Sequence, residues 1–393
     1  MTILAEKLDQ LKQTQEAKVL YDTPKKKRDY FNKLNFDCSR AILLSGPRGT
    51  GKTSWMLSQL NKGFFLYFSA DHPSIAAIPL YDLCDAAFSK GYEGVFIDEI
   101  HYAKDWSIHV KSLYDSFPKK KILVCDSSSI ALRTGVGDIS RRFVNMNMPL
   151  LSFREYLMLN SEQTLPTLKV FDIDKTSLTS ILNSKINLLK EFNNYLTYGT
   201  RPFFLESKEN YRDKLFNILH KTIESDIPFL LPNLNTNHLR LMNSVIGFLA
   251  DSTVPTVNIE KMSTLWAVGR EKVYQLLDAM DKVHLIRIIR KVHDYNIYSK
   301  GEKIFLYDPA MYTLFKGNIG TLREAYASAA LIDSGYSLFS SKNEKECDFV
   351  ANNKKIEVGG KNKSVKGADY VIKDELEIPY DNNIPLWLLG FEY

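Results

Sequence analysis

Short apolar runs separated by amphipathic stretches dominate the first part of the chain. Ala41-Ile42-Leu43-Leu44-Ser45, residues 63–69, Gly94-Val95-Phe96-Ile97, residues 121–125 and residues 143–148 read as buried strands. Between them, residues 54–60, residues 79–90 and the stretch after Trp106, with apolar Ile108, Leu113 and Phe117, read as helices. Strand and helix in alternation predict an α/β domain, a parallel sheet with helices on both faces. Past about residue 160 the period changes. Ile181, Leu182, Ile186, Leu189, Phe192 and Leu196 recur three or four apart, a helical stripe that residues 195–202 break. Residues 238–250, 259–265 and 270–282 then give three helical patterns, followed by strand-like runs at 285–290 and 303–307. The tail alternates helix and strand again over 323–334, 336–340, 347–351, 355–358, 370–372 and 387–391.

Where the first strand meets its helix the chain reads Gly46-Pro47-Arg48-Gly49-Thr50-Gly51-Lys52-Thr53, with Ser54 next. Glycines joining a buried strand to a helix N-terminus let backbone N–H groups close around a phosphate. Lys52 would neutralise charge on the β- and γ-phosphates, and the Thr53 hydroxyl would ligate Mg²⁺. The strand at residues 94–97 closes on Asp98-Glu99. Hydrolysis needs two such carboxylates: Asp98 to hold Mg²⁺ through water, and Glu99 to orient and deprotonate the attacking water. Residues 121–125 end in Asp126-Ser127-Ser128-Ser129, where Ser127 or Ser128 would sense the γ-phosphate or would cap a helix. Arg141-Arg142 follow, suited either to a neighbouring subunit's nucleotide or to the C-terminal end of a helix.

Composition changes this picture little. The 393 residues suffice for two or three domains, and 45% hydrophobic with 25% charged is ordinary for a globular protein. A net charge of +5 permits nucleic-acid binding without arguing for it. The clusters Lys25-Lys26-Lys27-Arg28 and Lys119-Lys120-Lys121 read as solvated faces. Cys38, Cys84, Cys125 and Cys347 show no paired metal spacing and read as reduced core thiols. No apolar stretch reaches membrane-spanning length, and the start of the chain lacks a signal peptide's pattern, so no membrane association and a cytoplasmic location are expected.

The loop Gly46 to Thr53, Ile97-Asp98-Glu99-Ile100-His101-Tyr102 with Trp106, the serine strand end, Arg141-Arg142 and Leu151-Ser152-Phe153-Arg154-Glu155-Tyr156 resemble the prokaryotic AAA+ ATPases that carry a C-terminal restriction-endonuclease-like domain. The resemblance implies ATP as the nucleotide and a molecular switch or remodeller. One departure is Asp126, where the family commonly has Gly. In the family a turn before Pro stands where Arg201-Pro202 lie, so Arg201 is either a lid-borne charge or structural. The expected organisation is an N-terminal helical segment at 1–35, the ATPase core at 36–157, a helical lid or bridge at 158–236, a winged helix-turn-helix at 237–317 and an endonuclease-like α/β domain at 318–393.

In the winged helix, residues 270–282 would be the recognition helix: Val273, Leu276, Leu277 and Met280 face the core, while Arg270, Lys272 and Gln275 face double-stranded DNA. Asp278 and Asp281 oppose that contact, which leaves a scaffold role open. In the tail, Glu324, Asp348 and Glu357 fall on one helix and two adjacent strands. This arrangement resembles the endonuclease-like fold, where such carboxylates hold Mg²⁺ and a Lys two residues after the Glu activates water. Position 359 is Gly, so Lys361 would have to swing back through Gly359-Gly360, and the site is expected to be degenerate. The expectation is a Mg²⁺-dependent ATPase switch or remodeller, with double-stranded DNA and a homo-oligomer that supplies arginine in trans as its candidate partners. The alternatives are an ATP-gated nuclease and a low-turnover switch that binds a protein.

Overall fold

A computed structural model describes residues 2–75, 77–127, 139–231, 233–253, 256, 258–291, 302–341, 346–365 and 367–393. The chain divides into two units, Met1–Pro149 and Leu150–Tyr393.

The first unit is built on β1 (Ala41–Ser45), β2 (Phe65–Ser69), β3 (Gly94–Asp98), β4 (Lys121–Cys125) and β5 (Val144–Asn147), all paired in parallel in the order β2-β3-β4-β1-β5. Successive residues of β1 serve opposite faces. Ala41 and Leu43 join a core with residues of α1 (Thr2–Asp22), α3 (Leu80–Ser89) and α4 (Trp106–Ser116), whereas Ile42 and Leu44 join Phe36 and the Trp55 and Met56 side chains of α2 (Lys52–Gln59). Because β4 runs between β1 and β3, the C-terminal ends of all three meet at one edge of the sheet, where open α/β sheets take their ligands. The edge strand β2 is covered: the Gln15 amide of α1 donates to Phe65 O at 3.2 Å and accepts from Tyr67 N at 2.7 Å.

Two expectations about charge and thiols need correction in this unit. Lys25, Lys26 and Lys27 are exposed, but Arg28 is buried, because its guanidinium holds the carbonyls of Thr50 and Pro149 at 2.8 Å each. Cys84, Cys125 and Cys347 are buried free thiols as expected, while Cys38, in a 3₁₀ turn ahead of β1, is exposed.

The second unit opens on the helix Phe153–Ser161. Its start explains the Ser152-Phe153-Arg154-Glu155 run: Ser152 Oγ accepts from Glu155 N while the Glu155 carboxylate accepts from Ser152 N, a capping box. Phe153 packs edge-on against Phe192 and Phe391, at 5.2 and 5.9 Å between ring centres. Arg201 is buried and pairs with Asp308, which also accepts from Thr200, so its surroundings are those of a structural charge. The helices Thr236–Asp251, Ile259–Trp266 and Arg270–Lys282 precede the antiparallel pair β6 (Ile286–Ile289) and β7 (Lys303–Leu306). Val273, Leu276, Leu277 and Met280 are buried.

The tail supplies the helix Ile319–Asp333 and a second five-stranded sheet, in the order β12-β11-β10-β9-β8. Its strands are β8 (Leu338–Ser340), β9 (Phe349–Ala351), β10 (Lys354–Gly359), β11 (Tyr370–Lys373) and β12 (Asn383–Pro385). The sheet is antiparallel from β8 to β10 and parallel from β10 to β12. Residues 387–391 lie in a 3₁₀ segment, Leu386–Phe391, buried throughout.

Candidate functional site

The loop after β1 has three glycines in the left-handed half of backbone space, Gly46, Gly49 and Gly51, at φ 142°, 74° and 96°. At Gly46 a β-carbon would lie 2.2 Å from the Met148 carbonyl, so neither the conformation nor the space admits a side chain. Helix α2 starts at Lys52, which aims its first free N–H groups back into the loop. Lys52 is buried and donates to Gly46 O at 2.7 Å and Pro47 O at 2.8 Å. Thr50 Oγ1 donates to Pro47 O at 2.9 Å, and Arg28 grips Thr50 O from outside. Ser54, one turn into the helix side of the loop, is half-buried.

The acidic pair stands beside this loop. Thr53 Oγ1 donates to Asp98 Oδ2 at 2.6 Å, and Tyr67 OH from β2 donates to the same oxygen at 3.0 Å. Burial and then the Asp98 charge push the Tyr67 phenol well above its ordinary pKa, so it serves Asp98 as a fixed neutral donor. Glu99 adopts φ 49°, a strained conformation for a glutamate, at the turn out of β3. That turn carries its carboxylate to Arg48 Nη1 at 3.0 Å and Ser127 Oγ at 2.8 Å. Burial raises the Glu99 pKa, and Asp98 raises it further, while Arg48, Lys52 and His101 act the other way.

Several neighbours of this pair have no role assigned from the sequence. Tyr67 is one. His101 is another: its Nδ1 lies 2.8 Å from Asp126 Oδ1, with both side chains buried, and 3.7 Å from Glu99 Oε2. This contact gives Asp126, the residue after β4, a partner in the 3₁₀ turn Ile100–Tyr102. Ser128 lies outside the described residues. Arg142 forms a two-pronged ion pair with Asp115 at 2.9 and 3.0 Å near the end of α4, whereas Arg141 is exposed.

Oxygen donors at Thr53 and Asp98, next to loop amides and a lysine, suit a hard divalent cation shared with a phosphate. The arrangement defines a P-loop nucleotide site with a paired acidic strand end.

In the second unit the three tail carboxylates also come together, but around ammonium groups. Lys303 Nζ at the start of β7 lies 2.6 Å from Glu324 Oε2 and 3.2 Å from Asp348 Oδ1. Asp348 Oδ2 accepts from Val358 N at 2.9 Å, and Glu357 is paired with Lys363 at 2.8 Å. The lysine beside Glu357 is thus Lys363, while Lys361 is exposed. Gly359 makes this possible: a β-carbon there would sit 2.5 Å from Lys363 Cδ, so the missing side chain is the channel through which Lys363 reaches the glutamate.

Comparison with known proteins agrees with the first unit's class. Residues 39–157 match the family model described as an AAA domain, which together with the site geometry supports an AAA-type P-loop ATPase. An uncharacterized protein of Methanocaldococcus jannaschii is 26% identical over 300 residues, 68% of this chain and 59% of that protein. One from Haemophilus influenzae is 24% identical over 271 residues, 65% of this chain and 62% of that protein. The chain therefore spans about three fifths of the length of these relatives. Among solved structures, a Walker-type ATPase of Pyrococcus abyssi aligns at a TM-score of 0.44 and 14% identity, over 75% of this chain and 96% of that one.

Proposed function

We propose that the chain binds and hydrolyses ATP with Mg²⁺ and uses the nucleotide state as a switch. The observation that carries this reading is the contact of Thr53 with Asp98, 2.6 Å across the junction of loop and acidic strand, with Glu99 turned out beside it. Loop amides and Lys52 bind the phosphates. Thr53 and Asp98 would hold Mg²⁺, which when bound supplies charge neutralisation on the phosphate oxygens. Glu99 orients the attacking water and takes its proton, and Ser127, already within hydrogen-bond reach of Glu99, reports on the terminal phosphate. Of the two arginines, Arg141 is the better candidate to serve a neighbouring subunit, because Arg142 is engaged by Asp115.

Action on double-stranded DNA through residues 270–282 is the weaker part of the proposal. Arg270 lies 3.3 Å from Glu260, which removes part of the positive charge from the face that would meet phosphates. The test is ATP hydrolysis by purified wild type and Lys52→Ala, with and without single- and double-stranded DNA, followed by inspection of the DNA for cuts. Turnover in wild type and none in Lys52→Ala supports the ATPase. Equal turnover in both removes it.

The low-turnover alternative also has an observation behind it. The Arg48–Glu99 ion pair, with side chains only 11% and 19% exposed, ties up the base. A higher kcat in Arg48→Ala than in wild type would favour that reading.

A further inference from the structure

We infer that Lys303 stands where a divalent cation would sit between Glu324 and Asp348, with Lys363 on Glu357, so that this cluster binds neither Mg²⁺ nor Mn²⁺ and works as an ionic staple. In the endonuclease-like fold such carboxylates hold Mg²⁺, while Gly359 argues for a degenerate site, and the donors do not fit a metal. Glu324 and Asp348 already share a single ammonium at 2.6 and 3.2 Å. The second oxygen of Asp348 is used by the Val358 amide, and Glu357 is used by Lys363. Asp348 is thus engaged on both oxygens, and Glu324 and Glu357 each carry an ammonium partner from the chain itself.

Lys303 is not a surface side chain that could swing away. Its side chain is 5% exposed, and its ammonium lies 4.8 Å from the centre of the Phe349 ring. Its backbone is pinned on two sides, by Ile289 across the β6–β7 pair and by an antiparallel bridge to Thr256. Burial alone would lower the lysine's pKa, but Glu324 and Asp348 outweigh it and hold the group above lysine's ordinary value. A divalent ion between Glu324 and Asp348 would have to expel Lys303 from its place beside the Phe349 ring. The staple ties the helix Ile319–Asp333, strand β7 and the residue before β9 into one body. This inference does not depend on the ATPase reading.

The experiment titrates the full chain with Mn²⁺ in the absence of nucleotide, by calorimetry and by the paramagnetic resonance signal of free Mn²⁺. It compares wild type, Lys303→Met, the double variant Lys303→Met/Glu324→Gln and Glu357→Gln. Wild type is expected to show no site that Glu357→Gln removes. Lys303→Met is expected to gain one bound Mn²⁺ at least tenfold tighter than anything in wild type, and the double variant to lose it. Wild-type binding that disappears in Glu357→Gln overturns the inference, and so does a folded Lys303→Met that gains no ion. Circular dichroism checks the fold. If Lys303→Met does not fold, Lys303→Gln, which keeps a donor of similar reach, takes its place, and the wild-type and Glu357→Gln arm decides by itself.

Discussion

Lys52 in the first unit donates to two backbone carbonyls, 2.7 and 2.8 Å away, whereas Lys303 in the second donates to two carboxylates at 2.6 and 3.2 Å. Both ammonium groups are buried, and both stand close to a pair of acidic side chains. The difference lies in what each lysine would lose by leaving. A hydrogen bond from an ammonium to a neutral carbonyl contributes about 1.5–3 kcal/mol net, which a phosphate's negative charge readily replaces. Separating a buried ion pair costs about 3–5 kcal/mol, because the partner is left charged and unpaired. The same residue type is therefore a transferable ligand in one unit and a fixed strut in the other. The carboxylates follow the same rule: Asp98 is met by the hydroxyls of Thr53 and Tyr67, donors that can exchange for water and metal, while Asp348 and Glu357 are met by ammonium groups.

Substituting the two lysines should break the comparison in opposite directions. Lys52→Ala should lose nucleotide affinity by about a thousandfold or more, on the scale of a charged phosphate contact in a dry site, with little change in the melting transition. Fluorescent-nucleotide titration and thermal unfolding read the two halves of that claim. Lys303→Ala should cost about 3 kcal/mol of stability and leave nucleotide affinity as in wild type, which denaturant unfolding checks. Asp308→Ala, which strands the buried Arg201 charge, should cost a similar amount, about 3–5 kcal/mol, again without effect on nucleotide binding.

A pH profile sharpens the contrast further. Glu99 must be ionised to take a proton, and burial raises its pKa in the free protein, so the acid limb of kcat/KM should lie above the ordinary glutamate range, with activity falling as pH drops through that limb. Arg48 is the strongest influence in the opposite direction, so Arg48→Ala should move the limb to higher pH. A limb that stays put would show that Glu99 is not the group being titrated. The smallest effect is expected for Arg142→Ala, whose pair with Asp115 is partly exposed: stability and ATPase rate should both stay close to wild type. A fall in rate by orders of magnitude, together with a rate per subunit that depends on protein concentration, would instead make Arg142 the arginine supplied in trans.

The sequence carried the parts of the fold and site that are local. Apolar runs and glycine spacing marked β1, the loop and the start of α2, and the Asp-Glu pair marked the end of β3, because each is a contiguous pattern with one physical meaning. Pairings across the sheet left no such mark. Tyr67 reaches Asp98 only because β2 and β3 run in register, with Ser69 opposite Asp98, and His101 meets Asp126 only because β4 lies beside β3. Arg28 looked like one more basic surface residue until the loop carbonyl it holds was in place. In the tail, the count from Glu357 fell on Gly359 and left Lys361 to swing back, yet a turn through Gly359-Gly360 passes that residue to solvent and returns Lys363. Lys303 lies far from the tail carboxylates in the chain, and nothing in its neighbours' spacing announces them.

The central claim is that Glu99 is the base of an ATPase whose phosphate grip is independent of it. Glu99→Gln keeps the shape, with the amide oxygen able to accept from Arg48 and the amide nitrogen able to donate to Ser127 Oγ, while removing the basic group. Steady-state ATP hydrolysis and nucleotide affinity measured on this one variant test the claim most directly. Affinity within about threefold of wild type with turnover reduced by about 10²–10⁴ is the predicted result. Turnover equal to wild type would contradict it.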